Sequence, residues 1–256
     1  MAKPNAVKPS TEVATQSGGF QLVTERPSFL MADDKRGNEG VGSDDLVIPR
    51  LEVAQALSPC VDRESPDYID GCVPGMLFNT VSRACYEKVV VIPVLFKKQF
   101  LIWADRTKNK QAEGFFGAYE SELEAKDAME LLQADPEAIA MTIQPTGVHY
   151  GLMGVPGALQ LEQIAISMAR TKIKVSKRWN SLVQMSGGAR FSRAYLVSSV
   201  SETNTKGKFH NFNVALAGFP PEQFYKQAEE LYNLLSSGVK VVTNHGEEST
   251  DVDSDM

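Results

Sequence analysis

Apolar positions along the chain recur mostly in short runs and alternations, so the sequence predicts many β-strands and few helices. Strand candidates are residues 45–56, 75–80, 88–96, 99–104, 139–144, 148–154, 159–169, 189–200 and 209–217. The run Val89-Val90-Val91-Ile92 has the character of a buried strand. Pro93 behind it requires an edge or a bulge, because proline has no N–H to give a ladder. Turns are expected at Lys97-Lys98, folding 99–104 back on 88–96, and at Pro145-Thr146-Gly147, Val155-Pro156-Gly157 and Asn204-Thr205-Lys206-Gly207. Three stretches carry helical signals. Ser121-Glu122-Leu123-Glu124 is a capping-box pattern opening a helix to about Gln133, and residues 176–185 precede the breaker Gly187-Gly188. In residues 221–236, Pro221 suits a first turn, Phe224, Ala228, Leu231 and Leu235 form one stripe, and Gly238 is placed for a C-cap.

The pattern implies a mainly β (α+β) chain, an elaborated OB-fold-like barrel with a C-terminal helix and disordered termini. Residues 1–43 read as a polar arm broken by apolar residues only at 20–23 and 29–31. The core spans 44–218 with an acidic helical insert at about 105–137, the helix occupies 219–238, and 239–256 form a flexible acidic tail. The 43% hydrophobic and 8% aromatic content allows a sizeable core. No apolar run approaches the roughly 18 residues of a membrane helix, and residues 1–19 lack the apolar stretch of a secretory signal. Cys60, Cys72 and Cys85 are odd in number and fit neither a disulfide framework nor a zinc ribbon, which points to a reducing compartment.

A net charge of −6 argues against a nucleic-acid partner only if charge is evenly spread, and it is not. From 170 to 208 the bases Arg170, Lys172, Lys174, Lys177, Arg178, Arg190, Arg193, Lys206 and Lys208 face the single acid Glu202. From 112 to 137 eight acids face Lys126, and the tail adds Glu247, Glu248, Asp251, Asp253 and Asp255. Local field governs attraction to a polyanion, because screening acts over about 8–10 Å.

No signature of chemistry accompanies these charges. The three histidines, His149, His210 and His245, have no metal-type spacing, and no Cys-x-x-Cys, phosphate-binding loop or nucleophile-elbow motif occurs. The reading is therefore a binding protein, without metal or cofactor. In Arg170-Thr171-Lys172-Ile173-Lys174-Val175 the bases alternate, so an extended strand would align Arg170, Lys172 and Lys174 on one face. Alternate strand residues are about 6.6–6.8 Å apart, close to the phosphate spacing of one nucleic-acid strand. A solvated edge strand with protective lysines is the plain alternative. Single-strand binders add aromatic platforms for unpaired bases. Trp179 beside Arg178, Phe209 beside Lys208, Phe191 and Tyr195 around Arg193, and Phe100 and Trp103 beyond Lys97 and Lys98 are the candidates.

These features bring the chain close to a known group. It resembles phage-encoded single-stranded DNA-binding proteins in the stretch from Val47-Ile48-Pro49-Arg50-Leu51-Glu52 to Leu57-Ser58-Pro59, in Gly75-Met76-Leu77-Phe78-Asn79-Thr80, in Val91-Ile92-Pro93-Val94 leading to Trp103, and in Lys172-Ile173-Lys174-Val175-Ser176-Lys177-Arg178-Trp179-Asn180-Ser181-Leu182. The resemblance implies strand coating in replication, recombination or transcription, in the cytoplasm of an infected bacterium. It implies contact of the acidic tail with a polymerase, helicase or RNA polymerase, and leaves open a homo-oligomer. The alternative is a cofactor that recruits RNA polymerase to melted promoter DNA, with DNA contact secondary.

Overall fold

The structure, a computed structural model, describes residues 47–105, 107–108, 114–135, 138–205 and 207–237. The expected N-terminal arm, the acidic tail with Glu247, Glu248, Asp251, Asp253 and Asp255, and Lys206 lie outside the described residues. The described chain is mostly antiparallel β, with strands β1 (Leu51–Val53), β2 (Leu77–Asn79), β3 (Cys85–Tyr86), β4 (Lys88–Ala104), β5 (Phe115–Tyr119), β6 (Met141–Gly154), β7 (Glu162–Ala169), β8 (Ala194–Asn204) and β9 (Gly207–Gly218). Three helices accompany them: α1 (Glu122–Gln133), α2 (Ile173–Ser186) and α3 (Glu222–Ser236).

β1, β2 and β3 form a small sheet, and a larger one runs in the order β7-β6-β4-β8-β9 with β5 added to β4. The large sheet is an open path: no pairing joins β7 to β9 among the described residues. Apolar side chains leave both of its faces. Val89, Val91, Ile164, Ile166, Tyr195, Val197, Phe212 and Val214 pack with Leu51, Val53 and Leu77 of the small sheet and with Val175 and Trp179 of α2. Ile92, Val94, Val148, Tyr150 and Leu152 pack with Ala228, Leu231 and Leu235, the stripe expected of α3. At the far end of β4 and β6, Phe100, Ile102 and Met141 hold Ala125 of α1.

Two expected hairpins are single long strands. β4 runs through Lys97 and Lys98, and β6 through Pro145, Thr146 and Gly147. Their pairing extends from Val90↔Gly154 to Ala104↔Met141. Neither lysine adopts a positive φ, and Pro145 lies just outside the β7 pairing, which begins at Thr146. Gly147 marks a close approach, not a turn: a Cβ there would sit 2.5 Å from Ser176 Oγ of α2 and 3.0 Å from the Phe96 ring. Pro93 has the bulge it requires, a register shift between Pro93 and Leu95.

Residues 170–175 are not a strand. β7 ends at Ala169, Arg170 takes φ 46°, a 3-10 turn spans Arg170–Lys172, and α2 begins at Ile173. The helical spacing of the buried residues Val175, Ser176 and Trp179 overrides the two-residue alternation of the bases. β5 was not among the expected strands, although Phe115-Phe116-Gly117-Ala118-Tyr119 carries the aromatic residues that favour one.

The α1 start is as expected, with Ser121 Oγ accepting from Glu124 N–H at 3.2 Å and the Glu124 carboxylate accepting from Ser121 N–H at 3.2 Å. Ser121→Ala is expected to lower stability by about 1 kcal/mol in denaturant titration, because two N–H groups lose their fixed partner geometry. α2 closes at Gly187, φ 67°. The β8–β9 hairpin turns where expected, with Asn204 opposite Gly207.

Candidate nucleic-acid interface

The basic stretch is gathered at the start of α2. Its first turn holds no acid, and its N-cap residue, Lys172, gives no side-chain cap. Arg170, Lys172 and Lys174 therefore stand at the positive end of the helix dipole, which disfavours cations and favours a bound anion. Lys174, Lys177, Arg178 and Ser181 then share one exposed face at helical spacing.

The carboxylate of Glu202 lies within this group. Lys174 Nζ lies 2.6 Å from Glu202 Oε2 on β8, and Asn211 Nδ2 donates to the same oxygen at 3.3 Å and to Thr171 O at 3.2 Å. The hydrogen bond from Lys174 holds the Glu202 carboxyl below its ordinary range, with help from Asn211 against the cost of burial. Arg170 Nε donates to Gln144 Oε1 at 3.1 Å. Exposed Lys208 and half-buried Phe209 lie on β9 opposite Thr203 and Glu202, so the hairpin that carries Glu202 brings them into the neighbourhood of α2.

Other sequence candidates separate from this group. Lys97 pairs with Glu120 at 3.9 Å, and Lys98 stands over the Phe100 ring at 4.7 Å. Successive strand residues face opposite sides of a sheet, so the two lysines do not act as one patch. Half-buried Trp103 lies 5.1 Å from the Phe115 ring, at the β4–β5 end of the sheet. Arg193 stacks on exposed Phe219 at 4.2 Å, on the side where β9 leads into α3. Phe100, Phe191 and Tyr195 are buried and present no stacking surface.

Trp179 is a core residue, fully buried, with its ring stacked on His149 at 4.5 Å and 12° and set edge-on to Tyr195 at 5.9 Å. It belongs to a polar cluster inside the sheet–helix layer. Arg190 donates to His149 Nδ1 at 2.8 Å and to Asn180 Oδ1 at 2.9 Å. Guanidinium can only donate, so Nδ1 is the acceptor, and Nε2–H donates to Ser176 Oγ at 2.8 Å. Burial, with the charge of Arg190 added, holds the His149 imidazole well below its ordinary value and keeps it neutral. Burial also pulls Arg190 down to about 10. Arg190, expected to meet DNA, is half-buried and bridges β6 and α2. No linear spacing marked His149, Ser176, Asn180 and Arg190 as a set, because they come from three separate elements.

The comparison with known families agrees with a viral source. A family model described as Pam3 phage gp34-like protein matches residues 16–240. The chain belongs to that family. No curated protein and no solved structure matches it. The match covers the whole described core, so the α2 start, the β8–β9 hairpin and the buried His149 cluster all lie inside the gp34-like region. No helix among its described residues is long and apolar enough to cross a membrane.

Proposed function

We propose that this gp34-like protein binds single-stranded DNA without base readout, through the start and exposed face of α2 and the neighbouring β8–β9 hairpin. The carrying observation is the clustering of Arg170, Lys172, Lys174, Lys177 and Arg178 at the uncapped start and on one face of α2, with Lys177 and Arg178 exposed. A polyanion laid on such a cluster is favoured by its local field and by the helix dipole. Phosphates supply the charge, and Phe209, beside Lys208, supplies an aromatic surface at its edge. The OB-like barrel, a role in phage replication, recombination or transcription, and recruitment of a polymerase or helicase by the acidic tail belong to the same reading.

Lys177 and Arg178 are the best probes, being exposed on α2. Replacing both by alanine is expected to weaken binding of an unlabelled-sequence oligonucleotide such as poly(dT) at low salt. The log–log salt slope should flatten by about 1.4, at about 0.7 for each lost phosphate contact. Fluorescence anisotropy across a salt series, with duplex of equal length as control, measures both. An unchanged slope with unchanged affinity would move the interface elsewhere.

A second reading, a protein-recruiting cofactor, has its own support in α1. Leu123 and Leu131 are exposed there at 69% and 79%, eight positions apart on one face with Asp127 between them. Changing both leucines to lysine would disable a protein contact and leave the salt slope for DNA intact.

A further inference from the structure

All three cysteines of the chain meet in one place. Cys60 and Cys72 lie with Ala54 and Phe78 in a small buried cluster against which Cys85 packs. Cys72 Sγ is 4.0 Å from Cys60 Sγ. Cys85, on β3 opposite Phe78, is half-buried, packs against the same cluster and has Cys72 as its thiol partner. Two of the three thiols are thus buried, and Cys85 is the accessible one.

The backbone already closes the segment between the inner pair. Ile69 N–H donates to Cys60 O at 3.0 Å, and Cys72 N–H donates to Ile69 O at 3.1 Å. Joining the sulfurs needs side-chain rotation to the ~2.05 Å of a disulfide, with the loop ends already together. A metal is the competing use of clustered thiols, but among the described residues no group of three His, Cys, Asp or Glu is placed to hold one.

We infer that Cys60, Cys72 and Cys85 form a thiol–disulfide exchange site that takes a low-molecular-weight disulfide at Cys85 and comes to rest as a Cys60–Cys72 disulfide. The Cys85 thiolate attacks one sulfur of the reagent RSSR, forming a mixed disulfide and releasing RS⁻, which takes up the proton Cys85 lost. The Cys72 thiolate attacks the Cys85 sulfur and expels the second RS⁻, which takes the Cys72 proton. The Cys60 thiolate then attacks the Cys72 sulfur and returns Cys85 as a thiol with the Cys60 proton. Two protein thiols are oxidised, and one RSSR is reduced to two RSH.

The acidities agree with this order. The hydrogen bond from Cys72 holds the Cys85 thiol below its ordinary value, with burial opposing. Cys60 pulls Cys72 down, but the bond to Cys85 and burial outweigh it and push Cys72 up to about 12. Cys60 is pushed up further, by its bond to Cys72 and by burial. The most accessible thiol is also the one that ionises first, as an entry nucleophile requires.

The chain on either side of the loop that would be locked is tied to the β8–β9 hairpin. The Gln55 side chain donates to His210 O at 2.8 Å and accepts from His210 N–H at 2.9 Å, and Ser199 Oγ donates to Gly75 O. Oxidation thus acts on a segment fastened to the hairpin that carries Glu202 and Lys208.

The test uses the full reduced chain, oxidised glutathione as the probe, and alkylation followed by peptide mass mapping. The expected result is loss of two of the three alkylatable thiols, a peptide pair joined through Cys60 and Cys72, alkylation at Cys85, and full recovery with dithiothreitol. Cys72→Ser should stop at a glutathione adduct on Cys85, and Cys60→Ser should stop at a Cys72–Cys85 disulfide. Three free thiols in the wild-type chain, an end product with Cys85 oxidised, or disulfides only between chains would overturn the inference. The wild-type map decides even if a serine variant fails to fold.

Discussion

Trp179→Ala is expected to destabilise the fold by about 3–5 kcal/mol and to leave the proposed single-strand binding of the folded protein unchanged. The indole is fully buried, between the His149 ring and Tyr195, and its removal opens a cavity bounded by β6, β8 and α2. A cavity between close-packed layers does not collapse, because rigid strands on one side and a helix on the other hold its walls. Against a typical total of about 5–15 kcal/mol, such a loss is large. Denaturant unfolding should show a lower midpoint, and anisotropy at a temperature where the variant is folded should show wild-type binding. A variant of normal stability that no longer binds single strands would return Trp179 to the interface.

Acidification from pH 6.5 to 5 is expected to cost stability at up to about 1.4 kcal/mol per pH unit from His149 alone. Its imidazole is neutral in the folded protein well below the ordinary value of 6.5, because it is buried beside Arg190. The unfolded chain binds that proton near 6.5 and the folded chain does not, so stability is full above 6.5 and falls as pH drops below it. The Glu202 carboxyl, held low by Lys174, acts in a separate window, because its unfolded form titrates only near 4.5. Unfolding free energy measured every half unit should therefore slope between 6.5 and 5 in the wild type and lie flat there in His149→Phe. The comparison rests on slope, since that variant also strands Arg190 and Ser176 and loses absolute stability. Parallel curves for the two proteins would show that His149 accepts a proton in place.

What could be read in the sequence was what local chemistry controls. The α1 capping box, the α3 stripe, the glycine stop of α2 and the bulge at Pro93 follow from interactions within a few residues. Lys97-Lys98 and Pro145-Thr146-Gly147 have turn composition, so local propensity divides β4 and β6 each in two. Each strand instead pairs along its length with the other, across more than thirty residues of chain, and local propensity yields to that pairing. For the candidate site, the charge segregation was legible and its geometry was not. Alternating bases fit a strand, while Val175, Ser176 and Trp179 fit a helix, and burial of Trp179 decides for the helix. Arg190 looked like a surface cation because nothing near it in sequence says that His149 and Asn180 wait to receive it.

β4 is covered by β6 along one edge, but along the other it meets β8 only at residues 88–91 and β5 only at residues 100–103. Between them eight residues, 92–99, have no strand neighbour on that side among the described residues. A strand edge without a strand partner is a place where another chain could pair, and here residues 92–94 are buried and Arg190 lies over the Phe96 ring at 5.5 Å. This stretch carries Pro93, a bulge directly after it, and Lys97 and Lys98 in succession. Proline removes a donor, the bulge spoils the register, and paired lysines repel a second copy bearing the same pair. Two lysines on such an edge are of the kind that discourages edge-to-edge pairing of strands. Converting both to threonine should leave the chain folded and raise its tendency to aggregate, as light scattering would show.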